Sequence, residues 1–181
     1  DGIRDTSVTG VQTCALPIYT SGIQFITMMG DYGWGLYINN GMISYSSEYS
    51  ISRHPTSNMS ITENVWTEVT VQIEQGVSGQ FYIDGVPAGN ITSNEANIPR
   101  GDFGSNDCYQ SGEDCDELFI GRMGAGCDCN YFTGMIDDVT ISNNEYSLNW
   151  GFLEGEGAVT YDDTSQYQGD INGASWVMPD G

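Results

Sequence analysis

Four cysteines crowd into an acidic part of this 181-residue chain: Cys108, Cys115, Cys127 and Cys129. Thiols this close either oxidise to disulfides or, as thiolates, hold a soft metal such as zinc. Four cysteines allow three pairings. Cys127 and Cys129 are one residue apart, an awkward span for a mutual bond in an extended segment. The expected arrangement is therefore two bridges tying the 108–115 loop to the 127–129 turn, which would brace a loop otherwise costly to order. The spacing matches no common zinc pattern. Asp102, Asp107, Glu113, Asp114, Asp116, Glu117 and Asp128 surround the same cysteines. Ca2+ takes about six to eight oxygen ligands, which a Gly- and Asp-rich loop can supply. Asp107, Asp114, Asp116 and Asp128 are the expected ligands; a solvated acidic loop is the alternative, since no spacing matches an EF-hand.

Carboxylates can also catalyse. A retaining glycosidase sets two of them about 5 Å apart, and the densest candidate is "EDCDE", Glu113 to Glu117. Asp137 and Asp138 are adjacent, so in a regular strand they point to opposite faces. His54, the only histidine, precedes Pro55 in a polar segment and is expected at the surface. Trp34, Trp66, Tyr32, Tyr37, Tyr49, Tyr109 and Tyr131 can stack on sugars or fill a core. Of these, Trp66, Tyr109 and Tyr131 are the candidate ligand-binding residues. Asn58-Met59-Ser60 and Asn90-Ile91-Thr92 fit the N-glycosylation acceptor pattern, which chance also explains in a chain so rich in Asn, Ser and Thr.

The formal net charge is -21 with only four cations, Arg4, Arg53, Arg100 and Arg122, and no Lys. Nucleic acid and anionic membranes need clustered basic residues and are poor partners. No apolar run is long enough to cross a bilayer, so membrane insertion is not expected.

The elements that must position these residues read as strands. Gly, Tyr, Asn, Ser and Thr are abundant, and no apolar stretch keeps helical spacing. Asn39-Asn40-Gly41 between two β-prone runs signals a hairpin, as does Asp84-Gly85 after "GQFYI". In "VWTEVTVQIEQ", Val65, Thr67, Val69, Val71 and Ile73 alternate with Trp66, Glu68, Thr70, Gln72 and Glu74, giving one buried and one wetted face. From about Val86 to Glu117 the pattern fades into a long loop, a functional or specially braced feature in a compact domain. Strand character returns in "ELFIGRMG" and "YFTGMIDDVTIS".

The ordered set "GWGLYINNGMISY", "WTEVTVQIEQGVSGQFYIDGVPAG", "LFIGRMG" and "FTGMIDDVTISNN" resembles the laminin G-like, concanavalin A-like jelly-roll family over about residues 22–145. The resemblance implies an all-β fold, an antiparallel two-sheet sandwich. It also implies an oxidising exterior, secreted or at the cell surface, which favours disulfides over zinc. Jelly-roll hydrolases of this class carry Glu-x-Asp-x-x-Glu or Glu-x-Asp-x-Glu along one strand; here Cys115 stands where the central Asp would be. The chain is therefore not expected to be an enzyme.

The first residues, "DGIRDTSVTGVQTCALPI", lack the basic start, apolar run and cleavage site of a secretory signal. Reverse-translated, Asp1 to Asp5 and Val8 to Ile18 resemble an indexed adapter oligonucleotide of high-throughput DNA sequencing. Residues 1–18 are accordingly expected to pack poorly, with a domain lacking its first strands over 19–146. The tail, "LNWGFLEGEGAVTYDDTSQYQGDINGASW", resembles the opening of a second domain of the same class. Residues 147–181 then either begin a following repeat or complete the first domain. The function expected is a noncatalytic binding or adhesion module of a large protein, recognising glycan or a cell-surface protein through rim loops, with neighbouring repeats in the same chain. A structural spacer is the alternative, and a glycoside hydrolase or lyase the third reading.

Overall fold

The computed structural model describes residues 8–30, 34–46, 54–96, 117–124, 129–144 and 146–177. Among these described residues thirteen strands form: β1 (Val8–Pro17), β2 (Ile23–Met29), β3 (Gly35–Asn39), β4 (Met42–Ser46), β5 (Thr56–Ser60), β6 (Thr67–Glu74), β7 (Ser78–Ile83), β8 (Val86–Ile91), β9 (Leu118–Ile120), β10 (Gly134–Ser142), β11 (Ser147–Trp150), β12 (Val159–Tyr161) and β13 (Gln168–Asp170). No helix occurs among the described residues. A six-stranded sheet, ordered β11-β10-β1-β6-β7-β8, faces a five-stranded sheet, ordered β5-β4-β3-β2-β9. All pairings are antiparallel. The fold is the expected two-sheet jelly-roll sandwich.

Two turns set the hairpins. Asn40 and Gly41 both have positive φ (50° and 82°), as do Asp84 and Gly85 (50° and 73°). Two successive left-handed residues make the type I′ turn whose twist matches paired strands, and Asn, Asp and Gly tolerate that conformation best. On β6, Thr67, Val69, Val71 and Ile73 are buried as the alternation requires, and Phe81 and Ile83 join them from β7. Ile26, Leu36, Ile38, Ile43 and Tyr45 of the opposing sheet close the core. Val65 departs from the alternation: it precedes β6 and is exposed.

Residues 8–17 depart from expectation more sharply. Instead of packing poorly, they form β1 in the middle of the six-stranded sheet, paired with β10 from Gly10 to Pro17 and with β6 from Val8 to Ala15. The reason lies in the local pattern. Val11, Thr13 and Ala15 alternate inward and are at most 2 % exposed, while Gln12, Cys14 and Leu16 face outward. An extended segment of that pattern satisfies the facing N–H and C=O groups of two strands at once.

Beyond β10, β11 pairs on its free side, placing Leu148 and Trp150 in the core with Phe152 packed against it. β12 and β13 form a separate hairpin. The Asp163 N–H donates to the Asn149 carbonyl at 2.8 Å, which ties the hairpin to β11. Glu154 accepts hydrogen bonds from the Thr160 hydroxyl and the Tyr161 N–H, both at 2.9 Å. The buried Asp162 accepts from the N–H groups of Thr164 and Tyr167.

At the start of β10 a Cβ on Gly134 would lie 2.1 Å from the Leu16 carbonyl oxygen and 2.9 Å from the Pro17 Cα. Backbone cannot yield there. Gly134→Ala should therefore cost about 2 kcal/mol or more, at the upper end of overpacking, measured by denaturant unfolding. A loss below about 0.5 kcal/mol, the scale of an ordinary surface change, would show that β1 and β10 are not in contact.

Candidate functional site

One end of the sandwich gathers exposed aromatic side chains. At that end β1 finishes while β6 and β10 begin: Pro17 is opposite Gly134 and Ala15 opposite Thr67. The Asn64 N–H donates to the Pro17 carbonyl at 2.7 Å, and the Ile18 N–H to the Thr133 carbonyl at 2.9 Å. Trp66 immediately precedes β6, while Tyr131 lies in the segment leading to β10, which bonds the other sheet: the Phe25 N–H donates to the Asn130 carbonyl at 3.0 Å and the Phe132 N–H to the Gly121 carbonyl at 2.8 Å. They are 46 % and 49 % exposed. Tyr109, the third candidate, lies outside the described residues.

Along the outer face of the same sheet the registers align two uncharged rows. One runs Ser147, Ser142, Gly10, Gln72, Gln80, Asn90; the other runs Asn149, Thr140, Gln12, Thr70, Tyr82, Pro87. In a chain with 25 acidic residues, neither row holds a carboxylate. Gly10 has no side chain, which leaves a hollow lined by Gln12, Thr70, Gln72, Thr140 and Ser142. Sequence reasoning did not pick out these amides and hydroxyls. The available signal was the absence of charge at Thr70 and Gln72 of β6 and at Thr140 and Ser142 of β10, while the acids fall elsewhere.

Carboxylates border this face at the aromatic end. Asp138 has φ 50° and forms a β-bulge, since Gln12 pairs with Thr140 but Cys14 with Asp137. The bulge corrects the expectation that Asp137 and Asp138 point to opposite faces: both stand near the outward Cys14. Burial, then the charges of Asp138, Glu68, Asp137 and Asp84, push the Cys14 thiol pKa up. Burial also raises the Asp137 carboxyl, opposed by the Asp138 N–H and reinforced by the Asp138 charge. No group of three or more His, Cys, Asp or Glu among the described residues is placed to hold a metal ion.

The outer face of the five-stranded sheet is different. Phe25, Met28 and Tyr37 are buried there with Met123 packed on them; Phe25 and Tyr37 stack with centroids 4.9 Å apart. His54 is half-buried, neither fully exposed nor in the core. It packs edge-on against Tyr37, at 5.6 Å between centroids, and its Nδ1 hydrogen-bonds the Tyr37 hydroxyl. This cluster is a packed aromatic layer.

Cys129 is disulfide-bonded and its sulfur lies 3.9 Å from that of Met123. Cys108, Cys115 and Cys127 lie outside the described residues. So do the expected Ca2+ ligands Asp107, Asp114, Asp116 and Asp128, and all but Glu117 of "EDCDE". Cys14 is a free thiol. Both sequon asparagines are exposed, Asn58 on β5 and Asn90 on β8.

Residues 18–150 match a laminin G-type family model described as the concanavalin A-like lectin/glucanases superfamily. The chain belongs to that superfamily. The superfamily fold is also seen in a Bacteroides ovatus protein described as carbohydrate-binding, at 15 % identity and TM-score 0.67, over 93 % of this chain and 52 % of that one. The chain thus spans about half the length of that protein. The carbohydrate-binding domain of a Ruminococcus gnavus sialidase, solved with α2,3-sialyllactose, matches at 13 % identity and TM-score 0.53, covering 71 % of each chain. At these identities the likeness is one of fold. No curated protein matches the chain.

The buried tyrosines of the superfamily sandwich give a pH signature. Burial moves the Tyr37 hydroxyl from 10.0 up to about 12, partly offset by a hydrogen bond with Ser44; complete burial raises Tyr45 in the same direction. Unfolded, both ionise first, so the stability present below pH 10 is lost as pH rises from about 10 through about 12. Tyr37→Phe should make that decline shallower, measured by denaturant unfolding at graded pH, while Tyr45 keeps part of it. An unchanged slope would mean that Tyr37 ionises freely in the folded protein.

Proposed function

We propose that this domain is a noncatalytic carbohydrate-binding or adhesion module, acting outside the cell, whose ligand lies on the outer face of the six-stranded sheet. The observation that carries this reading is the uncharged field of amides and hydroxyls on that face, with the exposed Trp66 farther along the same sheet, beyond Glu68 and its neighbouring carboxylates. Sugar hydroxyls are recognised by such groups, and the apolar face of a pyranose stacks on an aromatic ring. The hollow over Gly10 gives a ring room to approach the sheet. The carbohydrate-binding descriptions of the two structural relatives support the same reading, and the net charge favours a neutral glycan over a sulfated or sialylated one.

Neutral and acidic glycans on one array, probed with and without Ca2+, test it. Neutral glycans should bind preferentially. Trp66→Ala should weaken binding about tenfold, the equivalent of about 1.4 kcal/mol, with a smaller loss for Gln72→Ala. No binding under either condition would sink the reading and leave the spacer. Hydrolysis of a glycan, lost on Glu113→Gln or Glu117→Gln, would overturn the noncatalytic assignment.

The bracing of the long acidic segment belongs to the same proposal: Cys108, Cys115, Cys127 and Cys129 form two disulfides, as an extracellular location would allow. Unreduced protein should be lighter than reduced protein by two hydrogens per bridge in intact mass spectrometry. A loss corresponding to one bridge would leave two of these thiols free and refute the braced loop.

A further inference from the structure

We propose that Asn58 and Asn90 are N-glycosylated, and that their two glycans cover the side of the sandwich where each sheet ends in an uncharged strand. Only the extracellular location is shared with the sugar reading.

Both residues head acceptor triplets, Asn58-Met59-Ser60 and Asn90-Ile91-Thr92, with no proline at the middle position. Distant in the chain, they meet in the fold. β5 ends the five-stranded sheet and β8 ends the six-stranded one, and the two strands lie against each other. A Cβ on Gly89 would stand 3.2 Å from the Asn58 nitrogen and 3.3 Å from the Ser57 Cα. The residue before Asn90 therefore abuts the backbone of Asn58. Ser57 and Ile91 are buried, whereas Asn58 and Asn90 are exposed. Alternation thus turns both side-chain amides to solvent, one on each flank of the same seam.

The seam is where protection is needed. A sheet edge presents main-chain N–H and C=O groups to any extended segment, and charged side chains, lysine above all, are a usual guard. This chain has no Lys. Among the described residues four strands end the two large sheets: β5, β8, β9 and β11. β9 has three residues, and the Arg122 guanidinium lies 4.5 Å over the ring of its Phe119. On β11 the Asn149 carbonyl accepts from the Asp163 N–H of the following hairpin. β5 and β8 hold no charged residue, in a chain with 25 acidic ones. Pro87 removes a single donor from β8. The two edges with neither a charge nor a bonded hairpin beside them are the two that carry acceptor triplets.

The modification balances without a redox step. The asparagine amide nitrogen bonds to the anomeric carbon of an oligosaccharide carried on a lipid pyrophosphate. The bond from that carbon to the pyrophosphate oxygen breaks, and the amide proton leaves with the lipid pyrophosphate. A hydrated oligosaccharide on each flank then keeps other strands away by bulk, with no addition to the net charge of -21.

The test uses the full chain secreted from a eukaryotic cell. Peptide N-glycosidase in heavy-oxygen water should convert both asparagines to labelled aspartate in peptide mapping. Asn58→Gln and Asn90→Gln should each remove one glycan from the intact mass. By light scattering the glycosylated chain should be monomeric, while the double Gln variant at the same concentration should at least double in apparent mass. Asn58→Lys with Asn90→Lys, equally without glycan, should return to monomer because lysine guards an edge by charge. Should the double Gln variant not be secreted, trimming the folded glycoprotein to one sugar per site with an endoglycosidase should produce the same association. Absence of a glycan at either asparagine, a stripped protein that stays monomeric, or a Lys variant that associates as strongly would overturn the proposal. None of these measurements requires the sheet to bind sugar.

Discussion

Unpaired main-chain groups in the middle of the six-stranded sheet are the constraint on which the rest of this structure rests. β6 already bonds β7 on one side and β10 already bonds β11, so their remaining edges face each other across a gap one strand wide. A buried N–H or C=O left without a partner costs about 1–3 kcal/mol. Several in succession would undo the sheet. β1 closes the gap, and its position fixes the separation of β6 from β10. That separation in turn sets the alignment of the uncharged rows on the outer face. The candidate site therefore inherits its geometry from a strand that contributes few of its side chains.

Charge is partitioned over the fold in the same logic. Side chains in the centre of a broad sheet face have neighbours on both flanking strands, within about 5 Å. Carboxylates repeated there would repel one another in a chain with a net charge of -21. Glu68, Asp84, Asp137 and Asp138 instead collect at the aromatic end, where solvent screens them and Cys14 feels their field. What remains on the open face is amide, hydroxyl and one tyrosine, with the hollow of Gly10 at its centre. On the opposite side of the molecule, Met123 and His54 arrive from connecting segments and lie against the Phe25 and Tyr37 rings. The two outer faces thus have opposite character, one open and polar, the other covered and aromatic.

Much of the fold is legible in the residues. The alternation of Val69, Val71 and Ile73 defines a half-buried strand wherever the chain places it, because side chains in a strand repeat every two residues. Asn40-Gly41 and Asp84-Gly85 define their hairpins because few other residues accept two consecutive left-handed conformations. Such signals are local, and they were enough to indicate the sandwich. The ordered motifs leading to "FTGMIDD" indicated the superfamily. Glycine at 134 has its reason in tertiary structure, however, in the passage of the Leu16 and Pro17 backbone across it.

Other features required distant parts of the chain to meet. The uncharged rows join residues from six strands, from Gly10 to Asn149, and no linear window displays them. His54 is drawn partly inward because Tyr37 offers it a partner from another strand, and Asp138 leaves its expected face because a bulge inserts one residue into β10. Residues 8–17 become a central strand for the same reason. By itself the sequence determined strand period, turn type and net charge, all properties of neighbours along the chain. Only the tertiary structure decided which strands lie side by side, since long-range pairing depends on which backbone groups are left unsatisfied once all the others have been placed.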